Sequence, residues 1–186
     1  KCYHMTELFQ YPDRVKYFHQ AEKGEEVNWD LLFEGYNSVV DYPGARYFKQ
    51  ISDFYPDAKI IHTYRDPDEW YESAVRTIFM ARNLDLKQFV KFAIRYPFSR
   101  EVQKRFHVFL YSRKLMALEF GNDFSDRKSI IKKFEQHTEN VINNIKPDRL
   151  LIFNFSEGWN PLCKFLNVPV PNEKFPVSNN HEEFMR

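Results

Sequence analysis

The chain has 186 residues and a formal net charge of +1, with 27 lysines and arginines against 26 aspartates and glutamates. This length suffices for one domain with its own core, and the near-neutral charge excludes a general electrostatic attraction to nucleic acid or to an acidic membrane. Aromatic residues make up 18% of the chain, which suits either a densely packed aromatic core or a pocket for flat, apolar molecules.

The N-terminal third of the chain is predicted to form short helices and one short strand. Residues 5–11 and 12–21 have helical patterns. Asn28 is suited to be the N-cap of a third helix that ends near Gly35. Residues 38–41 predict a short buried strand, and Pro43, followed by Gly44, is expected to begin the next helix.

A strand followed by a helix is the strongest local pattern in the chain. Apolar residues within 58–64 predict a buried strand. Asp66 suits an N-cap, and Pro67 fits the first helical position, where its missing N–H costs nothing. The helix is expected to continue to about residue 82.

Two residues of this strand-helix unit are candidates for binding an anion. Arg65 follows the predicted strand, and Ser73 lies two turns into the helix. A guanidinium and a hydroxyl at this edge of a sheet can donate to one phosphate group, and ligands of open α/β sheets collect there. The spacing alone also permits Arg65 to pair with a carboxylate while Ser73 faces solvent.

The C-terminal half continues the alternation of helices and strands. Residues 84–121 are predicted to be helical, and 126–144 form an amphipathic helix. A second buried strand is expected at 150–155, then a short helix at 159–166, and an irregular tail after Pro169. Together these elements predict an α/β fold with a parallel sheet covered by helices on both faces, in a single domain.

The sequence also limits the setting of the protein. Two cysteines far apart in sequence indicate neither a disulfide framework nor a metal cluster. No run is apolar enough to span a membrane. We therefore expect a cytoplasmic protein without a bound metal.

Six short motifs occur in an order that points to one known family. Together they resemble the P-loop sulfotransferase-like proteins, in the branch that includes the drug-activating sulfotransferase of parasitic flatworms. The similarity extends from residue 1 to about residue 184. The motifs are Cys2-Tyr3-His4-Met5, Asp41-Tyr42-Pro43, Tyr55-Pro56-Asp57-Ala58-Lys59, Tyr64-Arg65-Asp66-Pro67, Trp70-Tyr71-Glu72-Ser73 and Glu157-Gly158-Trp159-Asn160-Pro161-Leu162-Cys163-Lys164-Phe165-Leu166.

The resemblance implies a fold, a cofactor and a reaction. The fold is a P-loop NTPase-like parallel sheet between helical layers, over residues 1–186. The cofactor is 3′-phosphoadenosine 5′-phosphosulfate (PAPS), and the reaction is sulfuryl transfer to a hydroxyl or amine of a small molecule. Arg65 and Ser73 match the residues that hold the 3′-phosphate in the family.

The same resemblance assigns three further residues. Asp41, two residues before Pro43, matches the general base of this branch, and the alternative is that it caps a helix. His4 is a second candidate base, or else a structural hydrogen-bonding residue. Trp159 lies in a turn that is close to the adenine in the family, and packing at a helix start is its alternative role.

The sequence departs from the family at the glycine-rich loop that holds the 5′-phosphosulfate. Its 5 glycines are scattered, and no Gly-x-x-x-x-Gly-Lys loop occurs. Because the chain begins abruptly at Lys1, we expect the loop to lie upstream and the domain to be truncated at its N-terminus. The alternative is a non-catalytic nucleotide-binding or interaction protein.

The acceptor and the oligomeric state cannot be predicted from the residues. Aromatic residues of the helical middle region could form a lid over an apolar pocket or belong to the core. Two asparagines of the tail are candidates for covering the nucleotide. These residues are Phe89, Phe92, Tyr96 and Phe98, and Asn179 and Asn180.

Overall fold

The computed structural model describes residues 1–79, 90 and 94–176. In these residues helices alternate with short strands, and the strands pair in parallel. The α/β class with parallel strands is therefore confirmed. The strands form two separate pairs, β1 with β2 and β3 with β4, so the three-layer arrangement around a single sheet stays a prediction.

The chain divides into two compact units. The first unit comprises residues 1–56 and 84–121, and the second unit comprises residues 57–83 and 122–186. Each unit contains one of the parallel strand pairs. The assignment of residues 1–186 to a single domain stays a prediction.

Most of the predicted helices and strands are present, with ends shifted by a few residues. The side chains of Asn28 and Asp66 each accept a backbone N–H bond at the start of a helix, as predicted. The side chain of Asp126 does the same at the helix that was expected at 126–144. The elements are β1 (Cys2–Tyr3), α1 (Thr6–Gln10), α2 (Val15–Glu22), α3 (Trp29–Leu32), β2 (Ser38–Val39), α4 (Phe48–Phe54), β3 (Ile60–Thr63), α5 (Pro67–Ala74), α6 (Arg100–Phe120), α7 (Arg127–Asn144), β4 (Leu150–Phe153) and α8 (Trp159–Leu166).

The first unit is built around an aromatic core. Phe18 of α2 is fully buried and stacks on Tyr47 with 5.8 Å between ring centroids. Trp29 stacks on Phe33, also at 5.8 Å. Tyr3 of β1 is 1% exposed and packs edge-on against Phe33. Much of the high aromatic content therefore serves packing, which favours the core interpretation for this part of the chain.

The second unit is organised by the β3–β4 pair. The two strands are paired residue by residue, from Ile60 with Leu150 to Thr63 with Phe153. The strands are less buried than predicted, since Ile61 is 38% exposed and Ile152 is 39% exposed. The prediction of buried strands therefore holds only in part, since Phe153 of β4 is 2% exposed.

His62 of β3 makes a polar contact inside the second unit. Its Nε2 lies 3.0 Å from the hydroxyl of Thr138 on α7, and that hydroxyl donates to the carbonyl of Phe134. The hydroxyl therefore accepts from Nε2–H, which fixes the neutral tautomer of His62. Burial, and to a smaller extent the neighbouring His137, lower the pKa of His62 from 6.5 to about 4.

This lowered pKa predicts acid destabilisation of the second unit. Between pH 6.5 and pH 4 the unfolded chain binds a proton that the folded chain excludes. The stabilisation is thus fully present above pH 6.5 and is lost as the pH falls through this window. Denaturant unfolding at pH 7.5 and pH 5 should show a loss of at most about 2 kcal/mol from this group, since solvent screening of the partly exposed ring reduces the effect. His62→Gln, which can still donate to Thr138 but does not titrate, should lose that part of the pH dependence. If the free energy of unfolding of this variant changes with pH as much as that of the parent chain, His62 is not the group responsible.

Candidate functional site

The edge of the β3–β4 pair carries the predicted phosphate-binding residues. After β3 ends at Thr63, the carboxylate of Asp66 accepts from the backbone N–H groups of Asp68 (3.0 Å) and Glu69 (3.1 Å). Pro67 occupies the first position of α5. This local capping fixes where the chain turns, and it holds Arg65 in the connection between strand and helix.

Arg65 and Ser73 line one pocket of about 240 Å³ in the second unit. Arg65 is half-buried, and its Nη2 donates to the carbonyl of Glu69 at 3.2 Å. Among residues 1–79, 90 and 94–176, no carboxylate forms an ion pair with Arg65. The alternative of a carboxylate partner therefore finds no support in the described part of the chain. A half-buried guanidinium without an anionic partner is suited to receive an anion.

In the first unit, Asp41 follows β2 in a turn and does not cap a helix. Its φ of 69° lies in the left-handed region, which aspartate adopts more readily than most residues. The backbone N–H of Ala45 donates to its carbonyl at 2.9 Å. The helix expected at Pro43 instead begins at Phe48, with Tyr47 as its N-cap, so the predicted helix start and the capping role of Asp41 are both wrong.

His4 and Asp41 meet at the end of the β1–β2 pair. The strands pair Tyr3 with Val39, so the residues that follow them leave the same edge. His4 Nε2 lies 3.3 Å from Asp41 Oδ2, and His4 Nδ1 accepts from the backbone N–H of Thr6 at 3.2 Å. The Nδ1 lone pair is thereby engaged, which places the proton of a neutral imidazole on Nε2, where it can be donated to the Asp41 carboxylate.

Comparison with known proteins identifies the family. A family model described as a sulfotransferase domain matches residues 1–184. The chain belongs to the sulfotransferase family. It is 30% identical over 166 residues to the "Ava biosynthesis cluster protein M" of Aspergillus versicolor, a match that covers 88% of this chain and 62% of that protein. The resemblance to sulfotransferase-like proteins is confirmed, and the branch within the family stays a prediction. The chain spans less than two thirds of the length of the relative.

Aromatic residues to which the sequence assigned no binding role complete the pocket of the second unit. Trp70 stacks on Phe134 with 4.4 Å between centroids, and both line the pocket with Arg65. Trp70 lies three residues before Ser73, on the same face of α5. Phe155 is 58% exposed and also lines the pocket. Phe155 lies two residues after Phe153, and Arg65 lies two residues after Thr63. Because Thr63 pairs with Phe153, the parallel register brings Arg65 and Phe155 to the same edge of the strand pair.

Trp159 is not among the residues that line this pocket. Its indole N–H donates to the carbonyl of Glu173 at 3.0 Å. Its ring packs edge-on against Phe175 with 4.7 Å between centroids. The structure thus gives Trp159 a packing role at the start of α8, and its predicted role near the nucleotide stays a prediction.

A network around Glu119 fixes the turn that carries Asp41. The hydroxyl of Tyr42 donates to Glu119 Oε2 at 3.0 Å, and the guanidinium of Arg46 binds the same oxygen. Burial, followed by the Glu119 carboxylate, raises the pKa of Tyr42, so the phenol remains a proton donor. Glu119 lies 77 positions from Tyr42, so no local sequence pattern could predict the contact.

Glu119→Gln should destabilise the first unit by about 1–3 kcal/mol, because it removes the charge that Arg46 needs in a partly buried site. Urea unfolding of both proteins measures the difference. Glu101→Gln on the same helix is the matched control, since Glu101 is 70% exposed and pairs only at the surface with Arg105. Equal losses in the two variants would show that Glu119 does not hold the turn.

The predicted lid falls partly outside the described residues. Phe89, Phe92, Asn179 and Asn180 lie outside them. Tyr96 packs edge-on against Phe106 at 5.6 Å, and Phe98 is 89% exposed. Among the described residues, no helix has the length and apolar character to cross a membrane, and no group of three or more His, Cys, Asp or Glu side chains is arranged to hold a metal.

Proposed function

We propose that the protein transfers a sulfuryl group from PAPS to a hydroxyl or amine of a small molecule. The observation that carries the proposal is the pocket shared by Arg65 and Ser73, in which Arg65 has no carboxylate partner among the described residues. Membership of the sulfotransferase family supports the same reaction class.

The residues of the second-unit pocket fit the adenosine 3′-phosphate end of PAPS. The guanidinium of Arg65 presents several N–H donors to phosphate oxygens, and the hydroxyl of Ser73 adds one. The exposed ring of Phe155 and the ring of Trp70 offer apolar surface to a flat base. PAPS, when bound, supplies the sulfuryl group. The groups that hold its 5′-phosphosulfate are assigned to no residue of this chain.

The turn of the first unit supplies the base in this proposal. Asp41 accepts the proton of the acceptor hydroxyl or amine, as general base catalysis requires. His4 Nε2 lies 3.3 Å from Oδ2 of Asp41, which in this proposal leaves Oδ1 for the acceptor. His4 therefore orients the carboxylate rather than removing the proton itself. Tyr42, Arg46 and Glu119 hold the turn in place around it.

A second candidate is a nucleotide-binding protein of the same family without catalysis. The observation that favours it is the missing glycine-rich loop in these 186 residues, because backbone N–H groups at a helix N-terminus would otherwise hold the sulfonate end.

A transfer assay separates the two candidates. The protein is incubated with PAPS labelled in its sulfuryl group and with a panel of hydroxylated and amine-containing small molecules. We expect labelled product with at least one acceptor class. Binding of the desulfated nucleotide without any labelled product would favour the non-catalytic candidate, and absence of both would contradict the proposal.

A further inference from the structure

A pair of histidines in the first unit has no part in the proposed reaction. His19 lies in the last turn of α2 and His107 lies in α6, and their Nε2 atoms are 3.4 Å apart. Tyr111 and Lys114 follow His107 by four and seven positions, so they share its face of α6. Glu22 follows His19 by three positions. Two sets of polar side chains therefore face each other across α2 and α6.

The ring of His19 contacts Glu22 and Tyr111 as well as His107. Lys114 Nζ lies 2.7 Å from Glu22 Oε1, and Glu22 Oε2 lies 3.7 Å from His19 Nδ1. Tyr111 packs edge-on against the ring with 4.4 Å between centroids. The Glu22 carboxylate favours the proton on Nδ1, which directs the Nε2 lone pair of His19 towards His107.

We propose that His19 and His107 bind one divalent transition-metal ion, such as Zn²⁺, through their Nε2 atoms. Two nitrogens on a tetrahedral Zn²⁺ at about 2.0–2.1 Å are about 3.3–3.4 Å from each other, which matches the observed separation. The Glu22 contact to the other nitrogen of His19 is the outer-shell arrangement typical of metal-bound histidine. Imidazole nitrogen suits Zn²⁺, Ni²⁺ and Cu²⁺, and water completes the coordination.

A direct hydrogen bond between the two rings explains the geometry less well. Such a bond usually has its donor and acceptor nitrogens about 2.7–3.2 Å apart, so at 3.4 Å it would be long and weak. His107 is exposed and the His19 side chain is 33% exposed, so an ion can reach both nitrogens from solvent.

A metal at this position would link α2 to α6 and stabilise the first unit. An ion that binds only the folded chain raises the unfolding temperature, and the increase grows with the logarithm of the free ion concentration once this exceeds the Kd. The proposal does not depend on the sulfotransferase activity, because His19, Glu22 and His107 have no role in the proposed reaction.

Calorimetric titration of the untagged chain with ZnCl₂ tests the proposal, with MgCl₂ as the ion that prefers oxygen ligands. We expect saturable Zn²⁺ binding at one ion per chain, a raised unfolding temperature, and neither effect from Mg²⁺. His107→Ala, a change at an exposed residue, should abolish the binding. Glu22→Gln should weaken it by about 10–100-fold. His137→Ala, which removes a histidine of the second unit, should bind as the parent chain does.

Three results would overturn the proposal. The first is the absence of Zn²⁺ binding by the parent chain. The second is undiminished binding by His107→Ala, whose folding is checked by circular dichroism. The third is loss of binding in His137→Ala, which would place the ion in the second unit.

Discussion

Asp41→Asn is expected to reduce turnover by about 10²–10⁴-fold while binding of the desulfated nucleotide stays unchanged. Asparagine has the same shape as aspartate and also tolerates the left-handed backbone that residue 41 adopts, with φ of 69°. The turn should therefore survive, and only the capacity to accept a proton is removed. Steady-state rates with a saturating acceptor measure the effect.

Asp53→Asn is the matched control for this prediction. Asp53 is a 62% exposed carboxylate of the same unit and pairs at the surface with Lys49, so its loss should leave turnover unchanged. Full activity of Asp41→Asn would remove Asp41 as the base. A loss of nucleotide binding together with activity would instead point to a structural role for the turn.

Arg65→Ala is expected to weaken binding of 3′-phosphoadenosine 5′-phosphate at least tenfold, which corresponds to about 1.4 kcal/mol. The reason is that charge-assisted hydrogen bonds contribute roughly 1.5–3 kcal/mol, more than neutral ones. Arg65→Lys should fall between the parent and the alanine variant, since lysine keeps the charge but lacks the planar fork of donors. Ser73→Ala removes one neutral donor and should cost less.

Arg76→Ala provides the control for charge alone. Arg76 follows α5 in the same unit, is 69% exposed and lies near Glu72, so its loss changes the net charge equally without touching the pocket. Affinities of Arg65→Ala and Arg76→Ala that are reduced by the same factor would show that Arg65 acts only through general electrostatics.

Local signals predicted the second unit well. The Asp66-Pro67 pair set the start of α5, the helix expected at 126–144 runs from Arg127 to Asn144, and the short helix expected at 159–166 has those bounds. Each of these signals acts within a few residues of its own position, through caps and through the restricted backbone of proline. Such features depend little on the rest of the fold, so the sequence alone suffices for them.

The turn after β2 was mispredicted because contacts outside the Pro43-Gly44 pair act on it. Pro43 and Gly44 favoured a helix start, yet the chain folds back on β2 so closely that a Cβ on Gly44 would lie 2.7 Å from Val39 Cγ2. Glu119 of α6 then binds Tyr42. Neither contact has a local signature, and the position of α6 relative to this turn follows from packing within the first unit.

In the candidate site, too, some residues were predictable from the sequence and others were not. Arg65 and Ser73 were predicted from spacing and resemblance, and the structure brings them to one pocket. Phe155 could have been predicted from the parallel register, which aligns residues two positions after each strand. The contact between His4 and Asp41 required the β1–β2 pairing, and strands of two residues leave too short a pattern to predict it.

Calorimetric comparison of two nucleotides tests the central claim most directly. The protein is titrated with 3′-phosphoadenosine 5′-phosphate and, under the same conditions, with adenosine 5′-phosphate, which lacks only the 3′-phosphate. If Arg65 and Ser73 bind that group, the first ligand should bind at least tenfold more tightly, a difference of about 1.4 kcal/mol. Equal affinities, or no binding of either nucleotide, would contradict the assignment of the pocket.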